Sequence, residues 1–147
     1  MEYKDIKRCM IECPDLASLD EPIVAALLWR SEAQTLEEGE IIYAEGTTLD
    51  DTFCLLLSGD LVVEKASEII GGIREREMFG EMAYFTNNKA RTATLRVGSP
   101  QAVVLKFQFT PGELADPRFS ELRRSLALRS WEKFVSASQC EVSCEMW

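Results

Sequence analysis

The chain has 147 residues, 46% of them hydrophobic and 28% charged, and its formal net charge at pH 7 is −9. This length suits one domain with a real core. The acidic balance argues against nucleic acid or an anionic membrane as a partner, because both would repel the chain. The longest apolar run, residues 23–29, is too short to span a bilayer, and residues 1–10 contain no hydrophobic signal core. We therefore expect a cytoplasmic protein.

The five cysteines form an odd count, which does not suit a disulfide framework. Cys9 and Cys13, and likewise Cys140 and Cys144, stand four residues apart and could share a helix face. A zinc site through these two pairs stays open as an alternative, but the spacing is not the usual one and the chain has no histidine. We expect reduced thiols and no metal, and the pattern assigns these four cysteines no role.

The first 33 residues predict two helices. Residues 2–11 are weakly amphipathic, and Pro14 ends the pattern. Asp20 and Glu21 lead into Pro22, a typical first-turn proline, so a second helix is predicted from there to Arg30. We assign residues 1–33 to an N-terminal helical segment.

Residues 34–109 change to short apolar runs between turn residues, which predicts a β-roll. The turn 58–60 reads as a hairpin. Leu55, Leu57, Leu61 and Val63 alternate across it, so we expect all four to line one face. The predicted strands are 41–43, 52–57, 61–64, 68–73, 93–97 and 102–107.

Residues 110–147 predict helices again, followed by a short tail, all within the same domain. Thr110 and Glu113 form a capping box around Pro111, and Asp116 before Pro117 predicts a longer helix to about residue 137. Its apolar residues form two stripes, of which we expect the first to pack on the roll and the second to face elsewhere. The first stripe is Phe119, Leu122 and Leu126, and the second is Leu128, Trp131, Phe134 and Val135.

The same helix has a basic face, which we interpret as a solvated surface that compensates the acidic roll. Its members are Arg118, Arg123, Arg124, Arg129 and Lys133.

Residues 79–94, reading FGEMAYFTNNKARTAT, contain the most specific chemistry. Gly80 lacks a Cβ, so a ligand can approach its backbone closely. The residues after it favour a short helix whose first amides suit a phosphate, and Arg91 supplies a planar charged fork. Glu81 would repel that phosphate unless it accepts hydrogen bonds from a sugar hydroxyl. One anionic phosphate with an adjacent sugar hydroxyl edge therefore fits both charges.

This segment resembles the phosphate-binding cassette of the cyclic nucleotide-binding domain family, in particular its bacterial catabolite-activator branch. Turn glycines at Gly39, Gly46 and Gly59, in LEEGEIIYAEGT and LLLSGDLVV, extend the resemblance over most of the chain. It implies a mostly β fold, a double-stranded β-helix or jelly-roll barrel with N-terminal helices and a long C-terminal helix. It also implies that Glu81 binds the ribose 2′-hydroxyl and Arg91 the cyclic phosphate. The backbone of Gly80, Met82, Ala83, Thr92 and Ala93 would complete the cradle.

The resemblance further implies a regulatory role. In the family the last helix covers the base and often pairs with a second subunit, so we expect Trp131 or Phe134 to stack on the purine, with a homodimer as an alternative use of this helix. The output domains of the family, such as a DNA-binding helix-turn-helix, are not found in the roughly ten residues after the helix. We expect a sensor that switches an effector protein or its own dimer state, and no enzyme.

Several alternatives stay open. The ligand is cAMP or cGMP: the cassette spacing favours cAMP, whereas Thr92 resembles the threonine of cGMP-selective relatives. No cofactor is required in addition. A roll that no longer binds a ligand and acts as an interaction scaffold is the main alternative. A metal-dependent cupin enzyme has the same architecture, but its usual histidine ligands are absent from the sequence.

Overall fold

The computed structural model describes the backbone of residues 3–138 and the side chains of residues 4–133. Two helices, α1 (Tyr3–Glu12) and α2 (Glu21–Trp29), precede the β-roll. Eight strands follow, with a short 3-10 helix, Glu81–Tyr84, between the sixth and the seventh. The strands are β1 (Ser31–Glu37), β2 (Ile41–Tyr43), β3 (Thr52–Ser58), β4 (Leu61–Lys65), β5 (Glu68–Ile73), β6 (Met78–Phe79), β7 (Thr94–Val97) and β8 (Gln101–Gln108).

Helices also complete the chain after the roll. Helix α3 (Pro111–Leu114) has the predicted capping box, in which the Thr110 hydroxyl accepts from the Glu113 amide while the Glu113 carboxylate accepts from the Thr110 amide. A 3-10 turn, Pro117–Phe119, then leads into α4 (Ser120–Ser138). The proline at residue 117 therefore starts a 3-10 turn first, and the long helix begins three residues later than predicted.

The strands form two antiparallel four-stranded sheets, ordered β1-β8-β3-β6 and β2-β7-β4-β5. This double-stranded roll, with helices before and after it, is the predicted fold class. Strands β1 and β6 were not predicted. Strand β1 has no apolar run and is mostly exposed, and β6 has only two residues, so neither gives a hydrophobic signal.

The expectation that Leu55, Leu57, Leu61 and Val63 line one face is wrong. The turn 58–60 is not a hairpin, because β3 and β4 belong to different sheets. Leu55 and Leu57 pack against the helices, whereas Leu61 and Val63 lie in the core between the sheets. The Gly59 backbone makes this corner with a φ of +93°, and an added Cβ there would lie 2.6 Å from the Gln101 carbonyl oxygen.

Two apolar cores result. One lies between the two sheets, and the other lies between the outer face of the β1-β8-β3-β6 sheet and the helices. The first predicted stripe of α4 is confirmed in the second core, where Phe119, Leu122 and Leu126 are buried. Leu128 and Trp131 of the second stripe are exposed.

The predicted basic face of α4 needs a correction. Lys133 is buried, and Arg129 pairs with Glu77, which precedes β6. Both cations therefore lie on the side of α4 that contacts the roll, because the helix turns them toward carboxylates that the sequence places far away. Arg118, Arg123 and Arg124 are exposed, as expected.

Cys9, Cys13 and Cys54 are free and buried. Burial raises the pKa of Cys13 to about 11, so this thiol stays protonated near neutral pH. Cys140 and Cys144 lie outside the described residues. Across the described part of the chain, no three cysteine, aspartate or glutamate side chains gather as a metal site would require. Within residues 3–138 no helix has the length and hydropathy of a membrane span.

Candidate functional site

The cassette begins where β6 ends. Gly80 adopts the left-handed conformation, with a φ of +84°, and turns the chain into the 3-10 helix Glu81–Tyr84. A Cβ at Gly80 would lie 2.7 Å from Cε2 of Tyr43 and 3.2 Å from Nη1 of Arg91. Glycine is therefore required twice at this position, for its backbone conformation and for the close approach of these two side chains.

The Arg91 side chain runs beneath this turn and is 5% exposed. Its Nη1 donates to the Gly80 carbonyl oxygen at 2.7 Å, and its Nη2 donates to the Thr52 carbonyl oxygen at 2.8 Å. Nη2 also lies 2.6 Å from the Asp50 carboxylate. Both terminal nitrogens of the guanidinium that the sequence assigns to a phosphate thus have partners within the protein.

The Tyr43 ring packs against this guanidinium, whose carbon lies 3.6 Å from the ring centroid. Its hydroxyl is hydrogen-bonded to Thr52 Oγ1 at 2.8 Å and lies 3.2 Å from Cys54 Sγ. Burial holds the pKa of Tyr43 well above its ordinary value, and burial likewise raises the pKa of Cys54 to about 12. Both groups are therefore neutral, and the positive charge of Arg91 is balanced by Asp50.

The ionisation of Asp50 is consistent with this pairing. Burial alone would raise its pKa, but hydrogen bonds from Thr52 and Arg91 outweigh that effect and lower the pKa. The carboxylate side chain is 55% exposed, so Asp50 can turn toward solvent without a large rearrangement. Asp50 is thus an ionised but loosely held partner of Arg91.

A hollow opens above this group, and most of the predicted cradle lines it. Its volume is about 20 Å³, enough for a single water molecule. Pockets for drug-sized ligands have volumes of roughly 300–1,000 Å³, so the hollow must open before it can take a nucleotide. Its lining residues are Tyr43, Gly80, Met82, Ala83, Arg91, Thr92, Ala93 and Leu95.

Glu81 is the one cassette residue of the predicted site that does not line this hollow. Its side chain is 0% exposed, and Oε1 lies 2.7 Å from Nζ of Lys133 on α4. Neither carboxylate oxygen accepts a well-aligned hydrogen bond within the described structure. The contact is therefore an ion pair without the additional hydrogen bonds that usually satisfy a buried carboxylate.

The other two predicted site residues belong to α4. Trp131 is 60% exposed and is not among the residues that line the hollow, so it does not cover the hollow in this conformation. The side chain of Phe134 lies outside the described residues.

A larger cleft, of about 540 Å³, is lined by Trp29, Arg30, Lys106, Gln108 and Glu113 together with neighbouring residues. No residue of the cassette 79–94 contributes to it. We therefore place the candidate site at the hollow above Arg91 and not at the larger cleft.

Sequence reasoning missed three residues of the site: Tyr43, Asp50 and Lys133. Lys133 was placed on a solvated face, Tyr43 was predicted only as part of a strand, and Asp50 was not assigned to any element. All three are far from the cassette in sequence, and only the fold brings them next to Arg91 and Glu81. The need for a carboxylate near Arg91 follows only from its burial, which the structure shows.

A sequence model of the cyclic nucleotide-binding domain matches residues 33–109, slightly more than half of the chain. The chain belongs to the cyclic nucleotide-binding domain family. This family consists of regulatory ligand-binding domains, and the cassette with Gly80 and Arg91 lies within the matched residues. Among curated proteins, none matches the chain in sequence.

Solved structures of the family have the same fold. The structure of cAMP-bound PfPKA-R (141–441) is 20% identical, with a TM-score of 0.72 over 96% of this chain and 49% of the other. Domain CBD2 of PKAR bound to Sp-2Cl-cAMPS is 22% identical, with a TM-score of 0.70 over 96% and 94%. A regulatory subunit of a cAMP-independent protein kinase A from Trypanosoma cruzi, bound to guanosine, is 15% identical, with a TM-score of 0.67 over 93% and 47%. The chain thus spans about half the length of the first and third of these proteins.

Proposed function

We propose that this chain is a regulatory module that binds a cyclic nucleotide, cAMP or cGMP, at the hollow above Arg91. The observation that carries the proposal is the position of the Arg91 guanidinium, which reaches the Gly80 carbonyl beneath the floor of the hollow. A buried, permanently charged fork next to the cassette residues that line the hollow suits a bound phosphate. Met82, Ala83, Thr92 and Ala93 line the same hollow and complete the proposed cradle.

Binding requires two exchanges of partner. The phosphate takes the place of Asp50 on Arg91, because a carboxylate and a phosphate repel each other at one cation. The ribose 2′-hydroxyl takes the place of Lys133 on Glu81. The hollow also has to widen, and this involves the Tyr43 ring, which packs between the Gly80 backbone and the roll interior. The proposed switch is therefore a shift between the closed conformation described above and an open, ligand-bound one.

Trp131 and Phe134 stay part of the proposal as the lid over the base. Trp131 is 60% exposed in the closed conformation, and it would cover a base in the widened hollow once the last turns of α4 move. Movement of the last turns of α4 would pass the binding event to an effector protein or to a second copy of the chain.

The second candidate function is an interaction scaffold that no longer binds a ligand. The small volume of the hollow and the internal partners of Arg91 favour it, because both describe a site that is complete without a ligand. An uncharged nucleoside such as guanosine, which is bound by the Trypanosoma cruzi neighbour, is a third possibility that needs no exchange at Arg91.

Thermal unfolding with cAMP, cGMP and guanosine separates these functions. Ligand at a hundredfold excess over its Kd stabilises a fold by about 2.7 kcal/mol, which for a chain of this size raises Tm by roughly 5–10 °C. A shift with a cyclic nucleotide that disappears in Arg91→Lys supports the proposed function. A shift with guanosine that survives in Arg91→Lys indicates a nucleoside site, and no shift with any of the three supports the scaffold.

A further inference from the structure

Two ion pairs connect helix α4 to the residues on either side of β6. Arg129 Nη2 lies 2.8 Å from the Glu77 carboxylate, and Lys133 Nζ lies 2.7 Å from the Glu81 carboxylate. The two cations are four residues apart on one helix face, and the two carboxylates are four residues apart on either side of β6. The first pair is half-buried, whereas the second is almost completely excluded from solvent.

The Lys133–Glu81 pair has few other polar contacts. Lys133 is 5% exposed, and its other described contact is a long one, 3.5 Å from Nζ to the Met78 carbonyl oxygen. Neither oxygen of Glu81 accepts a well-aligned hydrogen bond in the described structure. A buried ion pair gains from its Coulomb attraction but loses hydration, and without further hydrogen bonds the net gain is small. Exchange of one partner is therefore feasible.

We propose that Lys133 is a positioning residue that competes with the ligand for Glu81, so that binding of a ribose hydroxyl at Glu81 releases the last turns of α4. This inference rests on the proposed function and adds the residue that connects the site to the helix. Lys133 holds Glu81 in the closed conformation, away from the hollow. When Glu81 turns to the ribose, the Lys133 ammonium loses its partner inside the protein.

The structure limits how far this release extends. Leu122 and Leu126 anchor the first half of α4 in the core, and the Arg129–Glu77 contact does not involve Glu81 directly. The movement is therefore confined to the turns from about Ser130 onward, which include Trp131. Burial raises the pKa of Asp15, which lies between α1 and α2, and the positive charges of Arg129 and Lys133 act against this shift.

The test uses calorimetry on the full chain with cAMP and with its 2′-deoxy analogue. Lys133→Met keeps the length and apolar stem of the side chain but removes the charge that competes for Glu81. We expect Lys133→Met to bind cAMP at least tenfold more tightly than the wild type, which corresponds to about 1.4 kcal/mol. The affinity for the 2′-deoxy analogue, which has no hydroxyl for Glu81, stays at the wild-type value.

Two matched variants serve as controls. Arg129→Met removes the neighbouring cation of the same helix face and leaves Glu81 paired, so its affinity for cAMP stays within about threefold of the wild type. Lys133→Arg keeps the positive charge and restores wild-type affinity. A double-mutant cycle of Glu81→Gln, Lys133→Met and the double variant, measured by thermal unfolding without ligand, gives the interaction between the two side chains. We expect the double variant to have nearly the same melting temperature as the single variants.

The outcomes separate the two proposals. If the wild type binds no cyclic nucleotide, the proposed function fails and the competition fails with it. If the wild type binds cAMP while Lys133→Met has unchanged affinity, or gains equally for the 2′-deoxy analogue, the competition is overturned and the proposed function stands. Additive effects in the thermal cycle would likewise overturn it, because they would show that the two side chains do not interact in solution.

Discussion

The guanidinium of Arg91 lies 2.6 Å from the carboxylate of Asp50, and this ion pair occupies the cation that the proposed phosphate needs. Arg91 is buried, whereas the Asp50 side chain is 55% exposed. The two partners are therefore unequal, because Asp50 can leave into water and Arg91 cannot. In the proposed function the carboxylate acts as a placeholder for the phosphate.

Asp50→Asn should strengthen the binding of a cyclic nucleotide. The amide keeps the size of the side chain and can still accept a hydrogen bond from Arg91, but it removes the negative charge that the phosphate must displace. We expect a gain of several fold in affinity, equivalent to roughly 1 kcal/mol for an exposed charge. Isothermal titration measures it, and Asp51→Asn, one residue further along the same loop, is the control. Weaker binding by Asp50→Asn would indicate that Asp50 helps to hold the ligand.

The lowered pKa of Asp50 should also make the folding stability depend on pH. Its pKa is lowered in the folded chain, whereas an aspartate in an unfolded chain has a pKa of about 3.9. The folded state therefore gains stability from the ionised carboxylate above about pH 4, and this gain is lost as the pH falls through the lower, folded-state pKa. The effect is small because the side chain is largely exposed.

Melting temperatures of the wild type and Asp50→Asn between neutral pH and about pH 3 check this dependence. We expect the wild type to be the more stable of the two near neutral pH, and the difference to narrow as Asp50 becomes protonated. A difference that stays constant over the whole range would contradict the pairing of Asp50 with Arg91.

We expect Gly80→Ala to destabilise the fold by more than an alanine at positive φ usually does. Gly80 and Gly46 have the same φ, +84°, but an added Cβ meets nothing within 4 Å at Gly46 and lies 2.7 Å from Tyr43 at Gly80. Gly46→Ala should cost about 1–2 kcal/mol through backbone strain alone. Gly80→Ala should cost about 1–3 kcal/mol more, because the Tyr43 ring must move.

Denaturant unfolding of the two glycine variants gives this difference directly. Equal losses would mean that the Tyr43 ring yields freely at Gly80. In that case the closed hollow would open at little cost, and the barrier to ligand entry would lie elsewhere.

Trp131 provides a direct optical readout of the proposed lid. It is 60% exposed in the closed conformation, so its emission should be typical of an indole in water. Closure over a base would move the indole out of water and shift its emission to shorter wavelength at saturating cyclic nucleotide. Trp131→Phe should lose this response, while Trp29→Phe, which removes an indole that is 91% exposed on α2, should keep it. An unchanged spectrum at saturation, with binding established by calorimetry, would exclude Trp131 as the lid.

Most of the roll could be predicted because its strands are short apolar runs between turn residues. The six predicted strands all occur, two of them with the predicted ends, 41–43 and 68–73. The assignment of strands to sheets failed at residues 58–60. Strand β3 is buried on both faces, so the alternation of its side chains does not show which face meets which core. A chain that crosses between sheets at a glycine corner has the same local sequence as a hairpin.

The cassette was predictable to the level of its backbone, and the conformation of its charged side chains was not. Gly80, Ala83 and Arg91 meet at one hollow as the motif implies. Motif spacing gives no information on which distant charge each side chain contacts in the closed conformation. The partners of Arg91 and Glu81 come from the loop before β3 and from α4, and only the three-dimensional fold brings these elements together.

Isothermal titration of the wild type and Arg91→Lys with cAMP and with cGMP shows whether Arg91 holds a cyclic phosphate. We expect the wild type to bind at least one cyclic nucleotide, and Arg91→Lys, which keeps the charge but not the fork, to lose about 2–5 kcal/mol of binding free energy. Circular dichroism of both proteins ensures that the variant is folded. Equal affinity of the folded variant and the wild type, or no heat from either nucleotide with the wild type, would contradict the claim that Arg91 holds a cyclic phosphate.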